Sequence, residues 1–75
     1  MSEILDTRGL ICPLPVLKAR KRLLQLPKGT MLTVLSDDIR APDEFRLFCQ
    51  ESGFTLMNVV KEEDCAKISL SDNSA

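Results

Sequence analysis

Residues 15–35 read PVLKARKRLLQLPKGTMLTVL, and within this stretch the hydrophobic pattern changes from that of a helix to that of a strand. Up to residue 26 the apolar side chains recur every three or four positions, which is the spacing of one helix face. These side chains are Val16, Ala19, Leu23 and Leu26, with Leu17 and Leu24 widening the stripe. A proline at position 27 and a glycine at position 29 end the helix. Residues 30–35 are mostly β-branched or large and apolar, as in a buried strand.

The segments on either side add the same kinds of element. Ile4 and Leu5 predict a short first strand. A second helix is expected to begin near Pro42 and to end before Gly53, because proline suits a first helical turn and glycine a C-terminal cap. Residues 54–60 and 65–70 predict an antiparallel hairpin closed by a charged turn. The order β-α-β-α-β-β predicts an α/β two-layer sandwich, a four-stranded mixed sheet with both helices on one face.

Length and composition restrict what the protein can do. The 75 residues predict a single domain, 1–75, whose polar residues 71–75 are expected to form a frayed tail. A net charge of −1 argues against a broad nucleic-acid-binding field. Without a signal peptide or an apolar span, a cytoplasmic location is expected. Three cysteines with no histidine and no Cys-x-x-Cys pair predict neither a disulfide framework nor a metal site, and no cofactor is indicated.

Cys12 lies in the segment Cys-Pro-Leu-Pro, directly before the first helix. Pro13 disfavours helical backbone angles at the preceding residue, and Pro15 suits the first helical turn. The thiol is therefore expected near the helix N-terminus, where the dipole stabilises a thiolate and lowers the pKa. Gly9 is expected to loosen the approach, and Arg8 to add positive charge. A reactive cysteine is the favoured interpretation, and a small apolar residue that fills a turn is the alternative.

The same segment carries a family resemblance. Residues 9–15, Gly-Leu-Ile-Cys-Pro-Leu-Pro, are similar to the Gly-Leu-x-Cys-Pro-x-Pro signature of the TusA/SirA-like family of small sulfur-carrier proteins. Further features in register are Leu5-Asp6, a basic helix, Lys28-Gly29, Ser36-Asp37-Asp38, and Phe48-Cys49 ahead of Gly53. The resemblance covers residues 5–70. One departure is Phe54, where many members have a histidine. This position is away from the motif and bears on the choice of partner.

The resemblance implies a strand order of 1-2-4-3 and gives roles to two places in the chain. Cys12 corresponds to the cysteine that carries sulfur as a persulfide, and Asp37 or Asp38 to an acidic residue after the second strand. The implied partners are a cysteine desulfurase or rhodanese-type donor and a downstream acceptor protein, for example in tRNA thiolation or other sulfur trafficking. The chain is then a monomeric carrier of sulfurtransferase type, not a stand-alone enzyme, with no direct nucleic-acid contact expected.

Three basic side chains, Lys18, Lys21 and Arg22, lie on the polar side of the first helix. They form either an ordinary solvated face or a docking surface for an acidic partner or a tRNA backbone. Two functions from other classes stay open beside the carrier. One is a non-catalytic regulatory or protein-interaction module in which Cys12 only fills a turn. The other is a small RNA-binding domain that uses the basic helix.

The remaining sulfur-containing side chains are expected to be passive. Cys49 falls on the apolar face of the second helix with Phe45, and is predicted to pack in the core. Cys65 opens the last strand and is predicted to be half exposed. Met31 and Met57 lie in strands and are predicted to fill the core.

Overall fold

The computed structural model describes residues 2–11 and 13–72. In chain order these residues form β1 (Ser2–Asp6), α1 (Leu14–Gln25), β2 (Met31–Ser36), α2 (Ala41–Ser52), β3 (Thr55–Lys61) and β4 (Ala66–Ser71). The order β-α-β-α-β-β that the sequence predicts is confirmed. Neither α1 nor α2 is long and apolar enough to cross a membrane.

The four strands form one mixed sheet in the order β1-β2-β4-β3, in which β1 is parallel to β2 and the other neighbours are antiparallel. This is the strand order that the resemblance implies. At one end of the sheet, Ser2 and Ser71 both pair with Met31. At the other end, Asp6 pairs with Leu35, so the loops that follow β1 and β2 leave the sheet side by side.

Both helices pack on the same face of the sheet. On this face, buried residues of β2 and β4 pair across the strands, Leu32 with Leu70 and Val34 with Ile68. The helices complete the core with Ala19, Leu23, Ala41, Phe45 and Cys49. Burial of apolar surface stabilises the fold by about 25 cal/mol per Å². This packing fixes the position of α1, and with it the chain that leads into the helix.

Two sequence predictions about the core are wrong. Leu17 and Leu24 do not widen the buried stripe of α1, because a helix that rests on a sheet buries only the arc facing the sheet; they are 55% and 59% exposed. Met31 and Met57 are also exposed. Met31 alternates with the buried Leu32 and so lies on the sheet face opposite to the helices, while Met57 lies at a register shift in the edge strand β3.

The last strand extends further than the sequence predicts. Ser71 belongs to β4 and, like Asp72, is buried, and the amide of Gly29 donates to the carbonyl oxygen of Asp72 at 3.0 Å. The prediction of a frayed tail is therefore wrong for residues 71 and 72, because the loop before β2 ties them to the sheet. Residues 73–75 of that predicted tail lie outside the described residues. Cys65, predicted to open this strand, lies directly before it.

Candidate functional site

Three loops lie together at the end of the sheet that contains the C-terminal ends of β1 and β2. They are the β1–α1 loop (7–13), the β2–α2 loop (37–40) and the β3–β4 turn (62–65). Cys12 belongs to the first loop and lies outside the described residues. Its neighbours Ile11 and Pro13 are described, and both are exposed. The residues on either side of the predicted reactive cysteine are thus at the protein surface.

The β1–α1 loop is tied to the end of β2 at two points. The amide and the hydroxyl of Thr7 both donate to the carbonyl oxygen of Leu35, at 2.8 and 2.6 Å. Two residues later, the amide of Gly9 donates to both carboxylate oxygens of Asp37, at 3.1 and 3.0 Å. Gly9 has a φ of 87°, a conformation that glycine adopts at low cost. The sequence predicts that Gly9 loosens this part of the chain. The structure shows instead that its amide is hydrogen-bonded to Asp37, which restrains the loop.

Arg8, predicted to add positive charge near Cys12, turns back to Asp6. Its guanidinium donates to the Asp6 carboxylate through Nε at 3.0 Å and Nη2 at 2.8 Å, and its amide donates to the same group at 3.0 Å. The side-chain bonds, followed by the backbone bond, lower the pKa of Asp6 to about 2. The same ion pair raises the pKa of Arg8, with smaller contributions from the nearby Cys65 and Asp37.

The prolines of the motif shape the start of α1. Pro13 is the N-cap residue, and Pro15 lies in the first turn, as the sequence predicts, with its side chain buried. Neither proline has an amide hydrogen, and the amide of Leu14 donates to the carbonyl oxygen of Ile11 at 3.0 Å. The helix start therefore offers an anion mainly its dipole, and fewer open N–H groups than a helix without prolines would.

Exposed apolar side chains occur in and beside the β1–α1 and β2–α2 loops, and the sequence pattern does not predict that they form a cluster. Ile11 is 68% exposed, Ile39 in the β2–α2 loop is 93% exposed, and Leu14 in the first turn of α1 is also exposed. Large apolar side chains exposed in one region are typical of a surface that another protein covers. Only the parallel pairing of β1 and β2 brings the two loops to the same end of the sheet, so no local signal in the sequence could have revealed the cluster.

The three basic residues of α1, for which the sequence leaves a docking face and a solvated face open, have different surroundings in the structure. Lys18 and Lys21 are exposed. Arg22 is half-buried and donates to both carboxylate oxygens of Glu3, through Nε at 2.8 Å and through Nη2. These hydrogen bonds raise the pKa of Arg22 and lower that of Glu3. Arg22 is thus bound to the edge strand β1, and Lys18 and Lys21 are the members of the set that face solvent.

Asp37 and Asp38, which the resemblance leaves as alternatives, have different surroundings. Asp37 is exposed and binds the amide of Gly9 in the β1–α1 loop. The side chain of Asp38 is only 8% exposed, accepts the amide of Arg40 at 2.9 Å and lies 3.5 Å from the guanidinium Nε of that residue. Asp37 therefore contacts the loop that contains Cys12, and Asp38 binds Arg40 within the β2–α2 loop.

The two described cysteines differ in accessibility. Cys49 is buried in the core, as predicted, and burial raises the pKa of its thiol. Cys65 is half-buried, as predicted, and lines an open cleft of about 240 Å³ between the β2–α2 loop and the β3–β4 turn. Across residues 2–11 and 13–72, no group of three or more His, Cys, Asp or Glu side chains could hold a metal ion.

Known proteins resemble this chain in sequence and in fold. The family model described as Sulfurtransferase TusA matches residues 3–71. A protein of Neisseria meningitidis serogroup A, named as a candidate sulfur carrier, is 45% identical over 62 residues, which cover 83% of this chain and 84% of that protein. The sulfur carrier protein TusA of Allochromatium vinosum is 38% identical over 58 residues, covering 77% and 76%. The crystal structure of a SirA-like protein from Desulfitobacterium hafniense has the same fold, with a TM-score of 0.81 at 23% identity over 96% of this chain and 99% of that one.

Proposed function

This chain belongs to the TusA family of sulfur carrier proteins, and we propose that it carries sulfur on Cys12, as a persulfide. The observation that supports this assignment is the exposure of Ile11 and Pro13, which flank Cys12 directly before a helix whose dipole favours an anion. Cys49 is a poor candidate because it is buried and its pKa is raised. Cys65 is half-buried and lies outside the family motif.

The proposed transfer is a pair of thiol exchanges without net oxidation. The Cys12 thiolate attacks the terminal sulfur of a persulfide on a desulfurase or rhodanese-type donor. A new S–S bond forms, the S–S bond of the donor breaks, and the donor thiolate leaves. An acceptor thiolate then attacks the terminal sulfur on Cys12, and the Cys12 thiolate leaves. Neither step needs an enclosed pocket, because the partner protein completes the site.

The test of this function is sulfur loading followed by mass measurement. The protein is incubated with a cysteine desulfurase and cysteine, and its intact mass is recorded together with that of Cys12→Ser. We expect the wild-type protein to gain sulfur and Cys12→Ser to gain none, with Cys65→Ser as the matched control that still loads. Loading that persists in Cys12→Ser would refute the assignment. A protein that never loads would support a regulatory module, and salt-sensitive RNA binding without loading would support an RNA-binding domain.

We further propose that partners dock on the exposed face of α1, where Lys18 and Lys21 lie beside the exposed Leu14 and Leu17. Charged residues at such a surface mainly accelerate association, and salt screens their effect. Reversing both charges, Lys18→Glu with Lys21→Glu, should slow association with the donor and weaken its salt dependence. Lys28→Glu, in the loop between α1 and β2, is the control for each single reversal, because it changes the net charge by the same amount. Binding that tolerates both reversals would make this an ordinary solvated face.

The proposed carrier is monomeric and works in the cytoplasm, and its acceptor is a protein in tRNA thiolation or another route of sulfur trafficking. Phe54, which packs against Phe48 with ring centroids 5.4 Å apart, lies directly before β3. A histidine at this position would change that packing. We therefore expect Phe54→His to alter the choice of partner while Cys12 keeps its reactivity.

A further inference from the structure

The hydrogen-bond pattern between β1 and β2 continues beyond the end of both strands. In the parallel pair, Asp6 lies beside Leu35, and the next amide, that of Thr7, donates to the carbonyl oxygen of Leu35 at 2.8 Å. Two residues further along, the amide of Gly9 finds a side chain as its acceptor, the Asp37 carboxylate, at 3.1 and 3.0 Å. The carboxylate of Asp37 thus extends the attachment of the β1–α1 loop to β2 after the backbone ladder has ended.

The contact between Gly9 and Asp37 restrains the loop because it lies between the two ends at which the loop is already fixed. Residues 8–13 connect Thr7, which is fastened to Leu35, with the first residue of α1. The contact with Asp37 divides this connection at Gly9, only three residues before Cys12. A shorter span between two fixed points has fewer conformations. Gly9 itself serves the backbone angle and not close packing, because a Cβ at this position would meet nothing within 4 Å.

We infer that Asp37 is a positioning residue for the Cys12 thiol: its carboxylate holds the amide of Gly9 and thereby fixes where the loop presents the thiol to a partner. The inference rests on the proposed function of Cys12. A thiol exchange requires the attacking sulfur, the central sulfur and the leaving sulfur to align, so loss of a fixed presentation slows transfer even when the thiol stays accessible.

The experiment compares three variants in a Cys65→Ser background, so that Cys12 is the thiol under study. Asp37→Ala removes the acceptor, and Asp37→Asn keeps one acceptor oxygen without the charge. Asp43→Asn is the matched charge control, because Asp43 pairs with Arg46 in the first turns of α2 and not with the β1–α1 loop. Three quantities are measured: the hydrogen exchange of the Gly9 amide by NMR, the dependence of Cys12 alkylation on pH, and the rate of sulfur transfer to an acceptor thiol.

For Asp37→Ala we expect Gly9 exchange to accelerate about tenfold, as for loss of one charge-assisted hydrogen bond at an exposed site. We expect transfer to slow by at least about threefold, because the loop no longer fixes where it presents the thiol, and the pKa of the Cys12 thiol to differ between Asp37→Ala and Asp37→Asn, which lose the same charge. Asp37→Asn should fall between Asp37→Ala and the parent, and Asp43→Asn should match the parent. If Asp37→Ala does not fold, Asp37→Asn against Asp43→Asn gives the same comparison.

Two results would overturn the inference. One is an unchanged Gly9 exchange in Asp37→Ala, which would mean that the contact does not restrain the loop. The other is faster exchange combined with equal Cys12 pKa values in Asp37→Ala and Asp37→Asn and a parental transfer rate, which would reduce Asp37 to a structural residue. Failure of the proposed function looks different, since the parent itself would then not load sulfur. The alkylation profile and the Gly9 exchange would still decide whether Asp37 positions the thiol.

Discussion

The order in which the three thiols react is the sharpest consequence of the structure. Cys49 is 6% exposed in the core, so a reagent reaches it only when the protein opens. A stability of about 0.05–0.15 kcal/mol per residue gives about 4–11 kcal/mol for 75 residues. At one decade per 1.36 kcal/mol, even the lower value slows labelling of Cys49 about 10³-fold. Its raised pKa slows the reaction further, because the thiolate is the nucleophile.

The assay is a time course with iodoacetamide at neutral pH, read by peptide mass spectrometry. We expect Cys12 to react first, the half-buried Cys65 second and Cys49 last, with all three rates converging in denaturant. Cys12→Ser should leave the melting temperature within about 4 °C of the parent, because the proposed function requires an accessible thiol and a substitution at an accessible position changes stability by no more than about 0.5 kcal/mol. Equal rates in the folded protein, or Cys65 reacting first, would refute the assignment of Cys12.

Three further predictions concern the motif, the acid limit of stability and the core. Replacing Pro13 and Pro15 by alanine should let α1 extend towards its N-terminus, shift the pKa of the Cys12 thiol and slow sulfur transfer. The fold should survive, with a loss of about 1–2 kcal/mol of stability from the buried ring of Pro15. Transfer at the parental rate would show that rigid presentation is not needed. The pKa of Asp6 is about 2 when folded against an ordinary 3.8, so its ion pair stabilises the protein above pH 3.8 and this contribution is lost as the pH falls towards 2; the stability difference from Asp6→Asn, followed by urea unfolding, should vanish over that range. Phe45→Ala should cost about 3–5 kcal/mol in urea unfolding and Leu24→Ala less than about 0.5, since only the first is buried.

Local signals in the sequence identify the elements but not their surroundings. The spacing of Ala19 and Leu23 and the glycine after α2 predict both helices, because these signals act within a few residues. The strand order follows only from the family resemblance. Leu17 and Met31 were expected in the core and are exposed, since periodicity gives a direction around a helix or strand and not the width of the surface that covers it.

The site shows the same division between local and distant information. The prolines predict how the chain enters α1, since each restricts the backbone angles of its own neighbourhood. The contact of Asp37 with Gly9 joins positions 28 residues apart, and it depends on the parallel pairing of β1 and β2. The exposed Ile39 also depends on this pairing. Its loop lies beside the β1–α1 loop only because β1 and β2 are parallel, and the sequence around Ile39 does not show that proximity.

The pairing of Ser2 and Ser71 with Met31 has a consequence for how this domain can be joined to others. Both ends of the described fold lie at one end of the sheet, and the β1–α1 loop leaves the other end. The strand β1 separates the two by about 16 Å at 3.3 Å per residue. A label, a surface linker or a second domain attached at either end would therefore sit away from the β1–α1 loop. The ends of the described fold and the proposed site lie at opposite ends of the sheet, so an attached domain would leave the proposed site uncovered.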